Sequence, residues 1–166
     1  MKGLLFTYLL TYGGAVISLF SPFAGLLIYI CFAIVKPDSM WYWSVPPGNY
    51  SRIVAAGMLV GWALHGFGHW QFGRARGIAV CFAGFVAWAL LSALNAPQPD
   101  RGLAFVESFA KILLPFLVGM TTIDSIDKLK KVAWVMALSQ GYVALEMNLS
   151  YLGGYNRIRD EGFARM

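Results

Sequence analysis

Six apolar stretches, separated by short polar breaks, constrain this chain more than any other feature. A bilayer core of about 30 Å is crossed by about 20 helical residues, because each residue advances about 1.5 Å. The stretches run from Gly3 to Phe20, Phe23 to Val35, Ile53 to Phe67, Gly77 to Ala96, Leu103 to Ile123 and Val132 to Leu152. The second is short and starts inside the Ser21-Pro22 break. Proline restricts its predecessor and offers no amide hydrogen, so this dipeptide separates two helices. Strands are excluded on two grounds. A bilayer cannot satisfy an open sheet edge, and the segments lack the alternation of a barrel wall. The expected fold is all-α: a polytopic transmembrane bundle of about six helices over residues 1–152, then a polar tail over 153–166.

Composition agrees. Only 13% of the 166 residues are charged, against about 25% in a soluble domain that must cover its surface. Mean hydropathy is +0.62, so most of the surface is expected to face lipid. The first stretch follows Lys2 like a signal peptide. It lacks a clear small-residue cleavage site and a second apolar stretch follows, so a retained helix is expected. Gly57, Gly61, Gly84 and Gly119 allow close backbone approach within the helices, and Gly57-Met-Leu-Val-Gly61 has the small-xxx-small spacing. Cys31 and Cys81 lie inside apolar stretches and are expected to be buried small side chains, and no disulfide framework or metal spacing is present.

The net charge of +5 sits in the short inter-helix segments and the tail. It is a topology signal and a preference for anionic headgroups or phosphate. No run of Lys and Arg interleaves with exposed aromatics, so nucleic acid is not an expected partner. With the amino terminus outside, Arg74, Arg76, Lys128, Lys130 and Lys131 are cytoplasmic. The opposite orientation places Lys2, Lys36, Arg52, Arg101 and the tail arginines inside. The density of the Lys128–Lys131 cluster favours the first arrangement; counting the tail favours the second. The segment Lys36–Arg52, with Trp41, Tyr42, Trp43, Pro46 and Pro47, is expected to be an interfacial belt with a stiff turn.

Few residues could carry chemistry. Glu107 and Lys111 lie four apart inside the fifth stretch, acid before base. Charges at that depth either line a polar cavity or neutralise each other near the interface. Glu146, near the far end of the sixth stretch, either reaches the interface or points into the bundle near Arg157 or Lys111. His65 and His69, also four apart, could hold a metal, but no carboxylate or cysteine is close in sequence, and an interfacial pair beside Trp70 is expected. In the tail, Arg157 and Arg159 flank one isoleucine. An arginine fork suits phosphate oxygens, although an ordinary basic juxtamembrane tail has the same composition. There is no Ser-His-Asp set, phosphate-binding glycine loop or zinc spacing, and no metal or cofactor is expected. From the residues alone, the reading stops at a polytopic membrane protein with a few intramembrane charges; a transporter or channel subunit using Glu107 and Lys111 as a polar relay, or a non-catalytic scaffold, stands beside an enzyme. No symmetry between two halves of the chain favours the transporter.

Three stretches resemble the amino-terminal part of bacterial O-antigen ligase and polymerase-type membrane proteins, closest to the O-glycosylation ligase of exosortase systems. The first is Ser21-Pro22-Phe23-Ala24-Gly25 with Ile34-Val35-Lys36-Pro37. The second is Glu107-Ser108-Phe109-Ala110-Lys111 followed by Asp127-Lys128-Leu129-Lys130-Lys131. The third is Asn156-Arg157-Ile158-Arg159-Asp160-Glu161-Gly162-Phe163. The resemblance implies a bacterial inner-membrane protein, multi-pass, acting without a metal. Its partners would be membrane lipid and a polyprenyl-pyrophosphate-linked glycan, transferred to an acceptor outside the cytoplasm. It implies Arg157 and Arg159 as pyrophosphate clamps, with Glu107 and Lys111 shaping a polar cavity, and it identifies no general base. Members of that family continue through further helices and a large periplasmic loop, so a truncated chain, cut before the catalytic loop, is expected.

Overall fold

A computed structural model describes residues 2–41, 44–46, 48–70, 76–97 and 99–154, and inside its helices it leaves out the side chains of Lys2, Ser39, Pro99, Glu107, Ser108, Ala110 and Lys111. Every regular element among the described residues is helical. The first rod comprises α1 (Lys2–Tyr8), a π-helical turn (Leu9–Gly13) and α2 (Gly14–Phe20). Then come α3 (Pro22–Val35), the single turn α4 (Pro37–Met40), α5 (Tyr50–Leu64), α6 (Arg76–Leu94), α7 (Pro99–Thr122) and α8 (Ile126–Leu152).

Local chemistry sets the helix ends. Ser21 is extended, its hydroxyl accepts from the Ala24 amide at 3.4 Å, and Pro22 takes the first helical position. At the other end of α3, Lys36 turns left-handed (φ 43°) and Pro37 prevents continuation. Ser125 caps α8 by accepting from the Lys128 amide. This helix therefore starts at Ile126 rather than Val132, and Lys128, Lys130 and Lys131 ride on its first turns. In α7, Pro115 has no amide hydrogen for the carbonyl of Lys111, four residues earlier.

The buried hydroxyls of the first rod close locally. Thr7, Thr11 and Ser18 are fully buried, and each donates to the carbonyl four residues back, at 2.7, 2.6 and 2.5 Å. Each hydroxyl proton is thus satisfied inside its own helix, which lets the rod pack without an acceptor from a neighbouring helix. That packing uses the glycines. A Cβ on Gly57 would lie 2.9 Å from the Ala15 carbonyl, and one on Gly61 would collide with the Ser18 carbonyl. The Gly57/Gly61 spacing is therefore the seam along which α5 lies parallel to α2.

Helix α3 is the centre, touching α2, α5, α7 and α8, whereas α6 packs against α7. Two small cores result. Leu26, Met58, Trp62 and Val118 meet at one end. Phe32, Val45, Tyr50 and Val54 meet at the other, under the segment that follows α4. Successive long helices alternate in direction. Arg76 and Lys128–Lys131 fall at one end of the bundle; Lys36, Arg52 and Arg101 fall at the other.

The helix order matches the sequence expectation, but the lengths differ. Two helical stretches, Gly3–Phe20 and Arg76–Leu94, are long and apolar enough to cross a membrane. The 14 residues of α3 and the 15 of α5 reach about 21 and 22 Å, short of the about 30 Å of a hydrocarbon core. Helix α5 stops at Leu64 instead of Phe67 because Gly66, Phe67 and Gly68 all take positive φ. Helices α7 and α8 are long, with 24 and 27 residues, but carry charge toward their starts.

Candidate functional site

Helix α8 presents Leu138, Ser139, Tyr142 and Glu146 along one face, as the 3.6-residue period requires. Opposite them stand Gly3 and Phe6 of α1, and Cys31 and Val35 of α3. Trp41, just past α4, closes the end. Together they bound an open cleft of about 600 Å³.

Trp41 is positioned from two sides. Phe6 meets it edge-on with ring centres 5.6 Å apart, and Tyr142 meets it at 6.3 Å. Gly3 makes the first contact possible, since a Cβ there would come within 2.7 Å of the indole. Trp41 therefore belongs to the wall of a cleft rather than solely to an interfacial belt. Its neighbours Tyr42 and Trp43 lie outside the described residues.

The polar end of the cleft is small and specific. The Tyr142 hydroxyl donates to Glu146 Oε1 at 3.1 Å, across one helical turn. Ser139 is buried one turn before Tyr142. Among the described lining residues, Glu146 is the one carboxylate, and it is half-buried. The cleft thus combines an apolar, aromatic body with a phenol–carboxylate pair at one end, a distribution typical of sites for amphiphilic ligands.

The sequence-derived residues distribute unequally over this site. Glu146 belongs to the cleft, with Tyr142 as a bonded neighbour that sequence reasoning missed; the Tyr142/Glu146 spacing of four was the available signal. Arg157 and Arg159 lie outside the described residues, beyond the Gly153-Gly154 turn that ends α8. Glu107 and Lys111 sit on α7, with side chains outside the description, and α7 contributes no described residue to the cleft.

The histidine pair does not form a helical ligand set. His65 ends α5, and its Nδ1 lies 2.8 Å from the Gly61 carbonyl. Three left-handed residues then carry the chain away, and the His69 amide donates to the Thr121 carbonyl at 2.9 Å. The same threonine hydroxyl accepts from Trp62 Nε1 at 2.9 Å. The His65–His69 segment therefore ties α5 to the end of α7.

A model of a family of unknown function (DUF5935) matches residues 1–159 of the chain, which belongs to that family. No curated protein and no solved structure matches it.

Proposed function

For this member of a family of unknown function, we propose a multi-pass protein of the bacterial inner membrane, part of a glycan ligase or polymerase. It moves an oligosaccharide from a polyprenyl-pyrophosphate carrier to an acceptor outside the cytoplasm, in the manner of the O-antigen ligase and exosortase-linked O-glycosylation proteins that the sequence resembles. The observation that carries this proposal is the cleft between α8 and the α1–α3 wall. Its apolar, aromatic lining suits an isoprenoid chain, and its polar end lies where α8 leads into Arg157 and Arg159.

In this proposal the acceptor hydroxyl attacks the anomeric carbon of the carrier-linked sugar. The bond from that carbon to the pyrophosphate oxygen breaks, and the carrier leaves as its pyrophosphate. Negative charge builds on the departing oxygens, where Arg157 and Arg159 stabilise it. The acceptor proton passes to Glu146, which Tyr142 holds at the polar end of the cleft. Glu107 and Lys111 stay in supporting positions on α7. The short α3 and α5 are compatible with six spans where the bilayer thins locally around them.

The test is the double replacement Arg157→Ala and Arg159→Ala in the intact gene product, in cells whose surface glycan is monitored. Transfer should fall at least about a hundredfold, the loss expected when a preorganised charge stabiliser is removed, while membrane abundance is unchanged. Wild-type transfer by that variant would refute the clamp.

A further inference from the structure

A second apolar recess lies away from the cleft, between α6 and α7. Phe82, Ala83, Val86 and Ala87 line it on α6, and Leu113, Leu117 and Met120 line it on α7. Alanine leaves room where larger side chains would close the helix pair, and the recess has a volume of about 510 Å³. On α6 it runs from Ala79 to Leu90, about 16 Å of helix. Such a recess holds one hydrocarbon chain. Its polar boundary is at one end, where Trp70 and Arg76 complete the lining.

That end is basic. The described residues there include Arg76, Lys128, Lys130 and Lys131 against Asp124 and Asp127. Lys128 pairs with Asp124 at 2.8 Å and Lys130 with Asp127 at 3.7 Å, which leaves the end net positive. An indole beside a guanidinium at the rim of an apolar groove matches the headgroup level of a bilayer.

We propose that the α6–α7 recess is a binding site for an anionic membrane phospholipid, with one acyl chain along the α6 lining and the phosphate on Arg76. The site is separate from the α8 cleft and would load from the leaflet opposite the glycan chemistry. It rests on the chain being a bilayer protein and not on glycan transfer.

The purified chain is placed in nanodiscs of equal phosphatidylglycerol and phosphatidylcholine with matched chains, then released into mild detergent for native mass spectrometry. Wild type should retain phosphatidylglycerol over phosphatidylcholine by about fivefold, the factor for one basic side chain at an anionic surface. Arg76→Gln should bring the ratio to parity, and Arg76→Lys should keep most of it. Ala83→Trp should abolish retention of both lipids by filling the recess. Equal retention by wild type, or an unchanged ratio in Arg76→Gln, overturns the site. So does displacement by excess inorganic phosphate, which would assign binding to the rim charge alone. A chain that never enters nanodiscs overturns the bilayer placement as well; entry without preference overturns only the lipid site.

Discussion

At the scale of single residues, glycine and hydroxyl positions decide how close the helices come. Gly61 lies against the Ser18 carbonyl and Gly25 against the Ser18 hydroxyl, so one serine is enclosed by two helices. Gly61→Ala should therefore destabilise the bundle by about 1–3 kcal/mol, because the obstructing atom is backbone and cannot rotate away. Gly84 has nothing within 4 Å of its would-be Cβ, and Gly84→Ala should be neutral or stabilising by about 0.5–1 kcal/mol. Thermal unfolding in detergent compares the two. Equal effects would show that α2 and α5 do not meet along this seam. The Gly57/Gly61 spacing was legible in the sequence, but its partner helix was not, since spacing alone carries no information on what approaches. Glu146 was legible as a rare acid in an apolar helix. Trp41 and Tyr142 were not, because a belt aromatic and a cleft aromatic look alike until the chain folds back.

At the scale of elements, the lengths of the apolar stretches and the polar breaks between them located the long helices, and local caps moved their ends by several residues. The start of α8 shows why: Ser125 and the acids Asp124 and Asp127, which precede the lysines, form a helix start ahead of Val132, where the continuous apolar stretch begins. The turn between α7 and α8 is also the best-defined ionic feature. Lys128 Nζ donates to the Thr122 carbonyl at 2.9 Å and to Asp124 at 2.8 Å, and it lies over the Phe23 ring. Foremost through the Lys128 hydrogen bond, the Asp124 carboxyl is held below its ordinary value of 3.8. A depressed carboxylate stabilises the folded state fully above that ordinary value and loses the contribution as pH falls through the lower folded value. Asp124→Asn should thus lower thermal stability at neutral pH by a small amount, suited to an exposed pair. The difference from wild type should shrink as pH falls below 3.8 and close below the depressed folded value. A gap that persists at the acid limit would mean that the ion pair is not its source. The histidine segment carries the opposite lesson. The spacing of four presumed helix, and the left-handed Gly66-Phe67-Gly68 run removes it.

At the scale of the whole molecule, helix class and element order follow from the apolar stretches and the breaks between them. Span number does not, because α3 and α5 are shorter than a bilayer core is thick. The bundle exposes a long row of apolar side chains, including Phe85, Trp88 and Leu91 on α6, which is coherent with lipid as the solvent. Alternation of the helices then fixes every loop relative to every other. In the proposed orientation, the positive cluster at Lys128–Lys131 lies in the cytoplasm, and the cleft, Glu146 and the end of α8 lie on the far side. Single cysteines in a Cys31→Ala, Cys81→Ala background, probed in intact cells with a membrane-impermeant maleimide, read this directly. Positions 44, 96 and 153 should label, and positions 66 and 125 should label only after the membrane is permeabilised. Uniform labelling of both sets would contradict a six-span bundle, and the inverse pattern would put the α8 cleft on the side of the membrane opposite to the proposed chemistry.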